Sequence, residues 1–140
     1  KNEIEVLEWS WESSQHSNMH SGSGGGAGKA TVDDFCFVHY VDKASPNLLN
    51  YCLSGKHIKN ICFVVRKAGG DPLEYLTINF SDVIITRVLL TGSASDDVRP
   101  AEKVKFSFTK FTQDYVTQNA EGNKSGIISA SYDIKANQRS

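Results

Sequence analysis

From Phe35 to Val41 the sequence reads FCFVHYV, and a strand through it is apolar on both faces. At a two-residue period Phe35, Phe37, His39 and Val41 line one side, and Cys36, Val38 and Tyr40 the other. An antiparallel sheet with one wet face has no use for that pattern. A strand covered twice does, as in a closed barrel packed by a helix or by a neighbouring subunit. Ile61-Cys62-Phe63-Val64-Val65 and Val83-Ile84-Ile85 repeat it.

Other segments alternate more plainly. Leu76, Ile78 and Phe80 interleave with Thr77 and Asn79, and Val104, Phe106 and Phe108 with Lys103, Lys105 and Ser107. Val83–Leu90 reads as a further strand. Ala68-Gly69-Gly70-Asp71-Pro72 is a turn joining two strands, and a hairpin around Asn119 to Gly126 returns to Ile127–Ile134. Near the start, Ile4 and Val6 alternate with Glu3 and Glu5 before the apolar phase moves to Leu7, Trp9 and Trp11. That shift predicts a β-bulge at Val6-Leu7. Trp9 and Trp11 then share a side, as core or subunit-contact residues.

One helix is signalled, with Ser45 expected as its cap, Pro46 at its first position and Gly55 just past its end. Leu48, Leu49, Cys52 and Leu53 form a single apolar stripe on it. Ser13–Gly28 and Thr91–Pro100 are long small-residue loops, the first a loop or a hairpin tip. The fold class expected is mainly β: an antiparallel β-barrel or sandwich of two packed sheets, with one short α-helix and long hairpin loops.

A chain of 140 residues is one domain's worth. A net charge of −1 leaves no footprint for nucleic acid or an anionic membrane surface. No apolar run reaches the roughly 18 residues that span a bilayer. The opening Lys1-Asn2-Glu3-Ile4 has no charged-then-apolar leader, so no signal peptide is read there. Cys36, Cys52 and Cys62 form no CxxC pair; they are expected as buried free thiols, two on strands and Cys52 on the helix, suited to a reducing cytosol.

The Gly-rich loop departs from a phosphate-binding loop, with Ser23 at the first glycine and Ala30 at the metal-binding hydroxyl. Gly22, Gly24 and Ala27 meet a dinucleotide pattern, but a strand follows rather than a helix. His16 and His20 lack helical context for a metal, and His39 lacks a third group beyond Cys36 or Cys62, which leaves it a core histidine. Asp33 and Asp34 point to opposite faces of a strand, and Asp96-Asp97 reads as solvated loop charge. No catalytic residue, metal or cofactor is expected.

Five segments together resemble the haemolysin-coregulated protein (Hcp) family of type VI secretion. They are Glu5-Val6-Leu7 with Trp9-Ser10-Trp11, the Gly-rich loop ending in Gly28-Lys29, Val41-Asp42-Lys43-Ala44-Ser45-Pro46, Ser54-Gly55-Lys56-His57, and Arg66-Lys67-Ala68-Gly69-Gly70 with Glu74-Tyr75-Leu76. The resemblance covers nearly the whole chain, departs at Val98-Arg99-Pro100-Ala101, and is poor over the tail Ser125–Ser140. It implies a single Hcp-like domain over 1–140. In the family a further strand and loop usually precede the point where this sequence begins, so that N-terminal strand is expected to be missing.

The resemblance further implies a structural tube protein rather than an enzyme. Six copies close into a ring by head-to-tail contacts and the rings stack. The lumen carries small effectors, and tip and sheath components are partners. The protein resides in the bacterial cytoplasm and is then secreted without a signal peptide. It also implies that Ser21, Gly22, Gly24, Gly25, Gly26, Gly28 and Lys29 belong to a ring-stacking loop. Gly92, Ser93, Ala94 and Ser95 match a lumen-facing segment, with Ser93 toward cargo. Two other classes read from the residues are a monomeric β-sandwich module binding a ligand or peptide on Trp9 or Trp11, and a hydrolase built on Cys or Ser with His39 or His57.

Overall fold

The structure, a computed structural model, describes residues 3–17, 29–69, 73–95 and 97–136. In chain order the elements are β1 (Glu8–Ser10), β2 (Ser13–Gln15), β3 (Ala30–Val32), β4 (Phe35–Tyr40), α1 (Ser45–Ser54), β5 (Ile58–Arg66), β6 (Glu74–Thr91), β7 (Ala101–Ser107), β8 (Lys110–Gln118) and β9 (Lys124–Asp133). Every described strand pairing is antiparallel. The fold is mainly β with one short helix, in agreement with the sequence. Two compact units divide it, one of residues 1–57 and 84–107, the other of 58–83 and 108–140. The long β6 supplies its first part to the second unit and its last part to the first.

In the first unit, β4 lies between β1 and β7, and β7 also pairs with the end of β6. The two-residue period places Phe35 opposite Phe106 and Phe37 opposite Val104, all buried. Phe35 and Phe106 stack at 5.3 Å, and Phe37 meets Phe106 edge-on at 6.4 Å. Such cross-strand aromatic pairs hold a ladder in register. Cys36 and Val38, on the other face of β4, are half-buried, so one face is core and the second only partly covered.

The strand expected through Ile4–Trp11 with a bulge at Val6-Leu7 is instead the three-residue β1. Leu7 N–H bonds Val38 O at 2.8 Å, and Glu8 faces Val38. The register would place Leu7 opposite His39 and Val6 opposite Tyr40, yet the ladder stops at Glu8 although β4 runs on to Tyr40. Ser13–Gln15, expected within a loop or a hairpin tip, is a strand that pairs with Ala30–Val32 as a hairpin stem.

At α1 the cap also differs. Ala44 is the N-cap residue (φ −81°, ψ −17°) and makes no side-chain cap bond. Asp42 builds the entry in place of Ser45: its carboxylate accepts from Ala44 N–H at 2.9 Å, while its own N–H donates to Ser45 Oγ at 3.0 Å. Gly55 closes the helix as expected, left-handed at φ 68°, donating to Tyr51 O. Of the predicted stripe only Leu48 is buried; Cys52 is half-buried, and Leu49 and Leu53 are exposed.

In the second unit β6 is flanked by β5 and β8, and β9 pairs with β8. Its core is Phe63, Ile78, Phe80, Val83 and Phe108, with Phe80 and Phe108 at 4.6 Å. Two strands were expected where β6 runs unbroken. The chain changes phase inside it through Asp82, left-handed at φ 56°, and a register shift between Ile85 and Arg87. The β8–β9 turn is tied by Asn119, whose side-chain oxygen accepts from Glu121 and Asn123 N–H, and Gly122 takes the left-handed φ of 83°.

Candidate functional site

Gly92, Ser93, Ala94 and Ser95 continue directly from β6 and are all exposed. Ser95 N–H donates to Ser93 Oγ at 3.2 Å, Asp97 N–H to Ser95 Oγ at 3.4 Å, and Val98 N–H to Ser95 O at 3.3 Å. Short hydroxyl side chains thereby fold the segment on itself, and each hydroxyl keeps an O–H donor for an outside acceptor. Gly and Ala add no bulk. Such a surface makes adaptable polar contacts without a deep pocket.

The loop's return is fastened more strongly than the sequence suggested. The Arg99 guanidinium lies 3.9 Å from the centre of the Tyr40 ring, and Val41 N–H donates to Pro100 O at 3.1 Å. One step further in, His39 and Glu102 face each other across the β4–β7 ladder, with Nε2 and Oε1 2.8 Å apart and both residues buried. His39 Nδ1 makes no hydrogen bond among the described residues, and Asp42 Oδ2 sits 3.4 Å from it. His39 is therefore a core histidine, as expected, but its partner is a carboxylate that the sequence reading passed over. The signal was present, since Glu102 shares its alternation face with Val104 and Phe106.

Trp9 and Trp11 both cover the buried Phe35. The Trp9 ring stacks on it at 6.1 Å with an 11° tilt while staying half-exposed; Trp11 meets it at 6.1 Å and 57°. Trp11 Nε1–H also donates to Asp33 O at 2.9 Å. Of the Gly-rich segment, Lys29 is exposed and its carbonyl accepts from His16 N–H at the hairpin stem. Ser21, Gly22, Gly24, Gly25, Gly26 and Gly28 lie outside the described residues, as do His20 and Asp96.

The thiols are free, but they are less buried than expected. Cys36 and Cys52 are half-buried and Cys62 is exposed, because its face of β5 pairs with the polar row of Asn79 and Thr112. Partial burial, and then the nearby Glu74 carboxylate, push the Cys62 thiol above its ordinary value, the wrong direction for a nucleophile. Asp34 accepts the Thr86 hydroxyl at 2.6 Å, tying down the bulge in β6. Among the described residues no three or more His, Cys, Asp or Glu gather as a metal site, and no helix is long and apolar enough to cross a membrane.

Apolar side chains stand exposed in both units: Leu49 and Leu53 on α1 in the first, and Tyr115, Ile127 and Ile128 on β8 and β9 in the second. A shallow depression of about 530 Å³ runs beside α1, edged by Asn50, Tyr51, Leu53 and Lys56.

The family model described as "Type VI secretion system effector, Hcp" matches residues 1–115. Protein hcp1 of Pseudomonas aeruginosa is 46% identical over 125 residues, covering 89% of this chain and 76% of that protein. The crystal structure of a type VI secretion system effector from Yersinia pestis is 58% identical, with TM-score 0.76 over 95% of this chain and 85% of that one. Hcp1 from Salmonella typhimurium is 46% identical, with TM-score 0.81 over 100% of this chain and 86% of that one.

Proposed function

This chain belongs to the Hcp family of type VI secretion tube proteins, and from that membership we propose that six copies close into a ring and that rings stack and carry small effectors in their lumen. The chain is a structural component of an oligomeric secretion tube and not an enzyme. The observation that carries the proposal is the family match along most of the chain on an Hcp fold.

The finer assignments extend that reading. The unit of assembly is one domain of residues 1–140. Head-to-tail closure buries one patch of each subunit against a different patch of its neighbour, and the exposed apolar side chains on α1, β8 and β9, together with Trp9 and Trp11, supply surface for it. The segment from Ser21 to Lys29 meets the next ring, where glycines permit close backbone approach. Gly92, Ser93, Ala94 and Ser95 face the lumen; short side chains keep the bore wide, and their hydroxyls bind cargo. The protein is made in the bacterial cytoplasm, meets tip and sheath components there, and leaves the cell without a signal peptide.

The cargo assignment is tested by Ser93→Gln, which lengthens one side chain in an exposed turn. The substituted protein is expected to form rings like its parent and to recover less effector on co-purification. Equal recovery from the two rejects Ser93 as a cargo residue.

A further inference from the structure

We infer that Arg99 is a positioning residue for the 92–95 segment, acting through the ring face of Tyr40. Its importance for cargo rests on the lumen reading above; the mechanical claim stands on geometry alone.

The hairpin that carries the segment closes where Thr91 pairs with Ala101, and Thr91 Oγ–H also reaches Ala101 O at 3.4 Å. Residues between those two would form an exposed loop held only at its base. Two contacts take the returning arm out of that freedom. The Arg99 guanidinium carbon sits over the Tyr40 ring, and the Pro100 carbonyl accepts from Val41 N–H, which extends the β4–β7 pairing beyond its last ladder pair, Tyr40 opposite Ala101. The arm is thereby laid along β4.

The surface it is laid on is stiff. Tyr40 follows His39, whose ring is buried against Glu102, and Asp42 beyond it is committed to the first turn of α1. A guanidinium over an aromatic face is attracted by the ring quadrupole and stacks on it without needing a rigid hydrogen-bond geometry. Tyr40 is partly exposed, so the contact holds at the surface and can be loosened without opening the core.

The test is amide hydrogen exchange by NMR at Ser95, Asp97 and Val98, the loop amides that donate within the segment, compared with Phe37 and His39 in β4. Arg99→Ala and Tyr40→Leu are each expected to speed loop exchange about two- to fivefold, the factor that corresponds to about 0.5–1 kcal/mol for an exposed cation–π contact. Tyr40→Phe keeps the ring and stays near the parent, while Arg99→Lys keeps the cation but loses the planar stack and falls between the parent and Arg99→Ala. Combining Arg99→Ala with Tyr40→Leu adds little to either alone. The inference is overturned if Arg99→Ala leaves loop exchange unchanged, or if exchange in β4 rises by the same factor. If the exchange pattern holds while both Arg99→Ala and Ser93→Gln recover effector like the parent, the positioning role stands and the cargo reading fails.

Discussion

His39 and Glu102 are directly opposed in the β4–β7 ladder, their side chains buried and joined at 2.8 Å. A polar pair at a core position costs desolvation and stabilises only while both members are present. Glu102→Leu is therefore expected to destabilise the fold by about 2–3 kcal/mol, leaving a buried ring nitrogen without its acceptor. The double variant His39→Leu with Glu102→Leu should lose less than the two single losses added. Urea unfolding of the three variants checks this; a loss below about 0.5 kcal/mol for Glu102→Leu contradicts the pairing.

The helix stripe separates into working and idle members. Leu48 is buried and Leu53 is 76% exposed on the same helix. Leu48→Ala should cost about 2–4 kcal/mol and Leu53→Ala less than about 0.5 in the isolated chain. Equal shifts of the thermal midpoint would mean that the helix packs by another face.

Trp9 stacks on Phe35 and remains 45% exposed. Trp9→Glu places a charge against that aromatic cluster, and Trp11→Glu removes both a ring contact and the bond to Asp33. Each is expected to lower thermal stability or to disperse the ring. Unchanged melting together with unchanged mass in solution rejects a role for either residue.

Cys62 gives a pH signature. Its folded thiol titrates above the ordinary value, from partial burial first and Glu74 second. The folded chain thus holds this proton more tightly than the unfolded chain does. The resulting stability is present below the unfolded thiol value and is lost as pH climbs through the raised one. With Cys36 and Cys52 replaced by Ser, the iodoacetamide rate at Cys62 should rise at higher pH in the folded protein than in urea. A midpoint at or below the unfolded one contradicts the assigned environment.

Much of this architecture was legible because apolar alternation is a local property. Phe35, Phe37, Val104, Phe106, Ile78 and Phe80 were all read on their faces, and all are buried. Gly55 was read from its conformational freedom alone. What escaped was set by partners distant in sequence. β1 stops at Glu8 although β4 runs on through His39 and Tyr40, and no pattern in Ile4–Leu7 reports that. Ser45 looked like a cap, yet Asp42 lies close enough to build the entry first. The turn of Arg99 onto Tyr40 joins residues that no local rule connects, in a stretch noted only for its departure from the family.

Ring assembly is read from the mass of this chain in solution, by light scattering behind size exclusion at micromolar protein. Six copies closed into a ring give a mass near six times 15.4 kDa. A single species at 15.4 kDa, unchanged as concentration is raised, contradicts it.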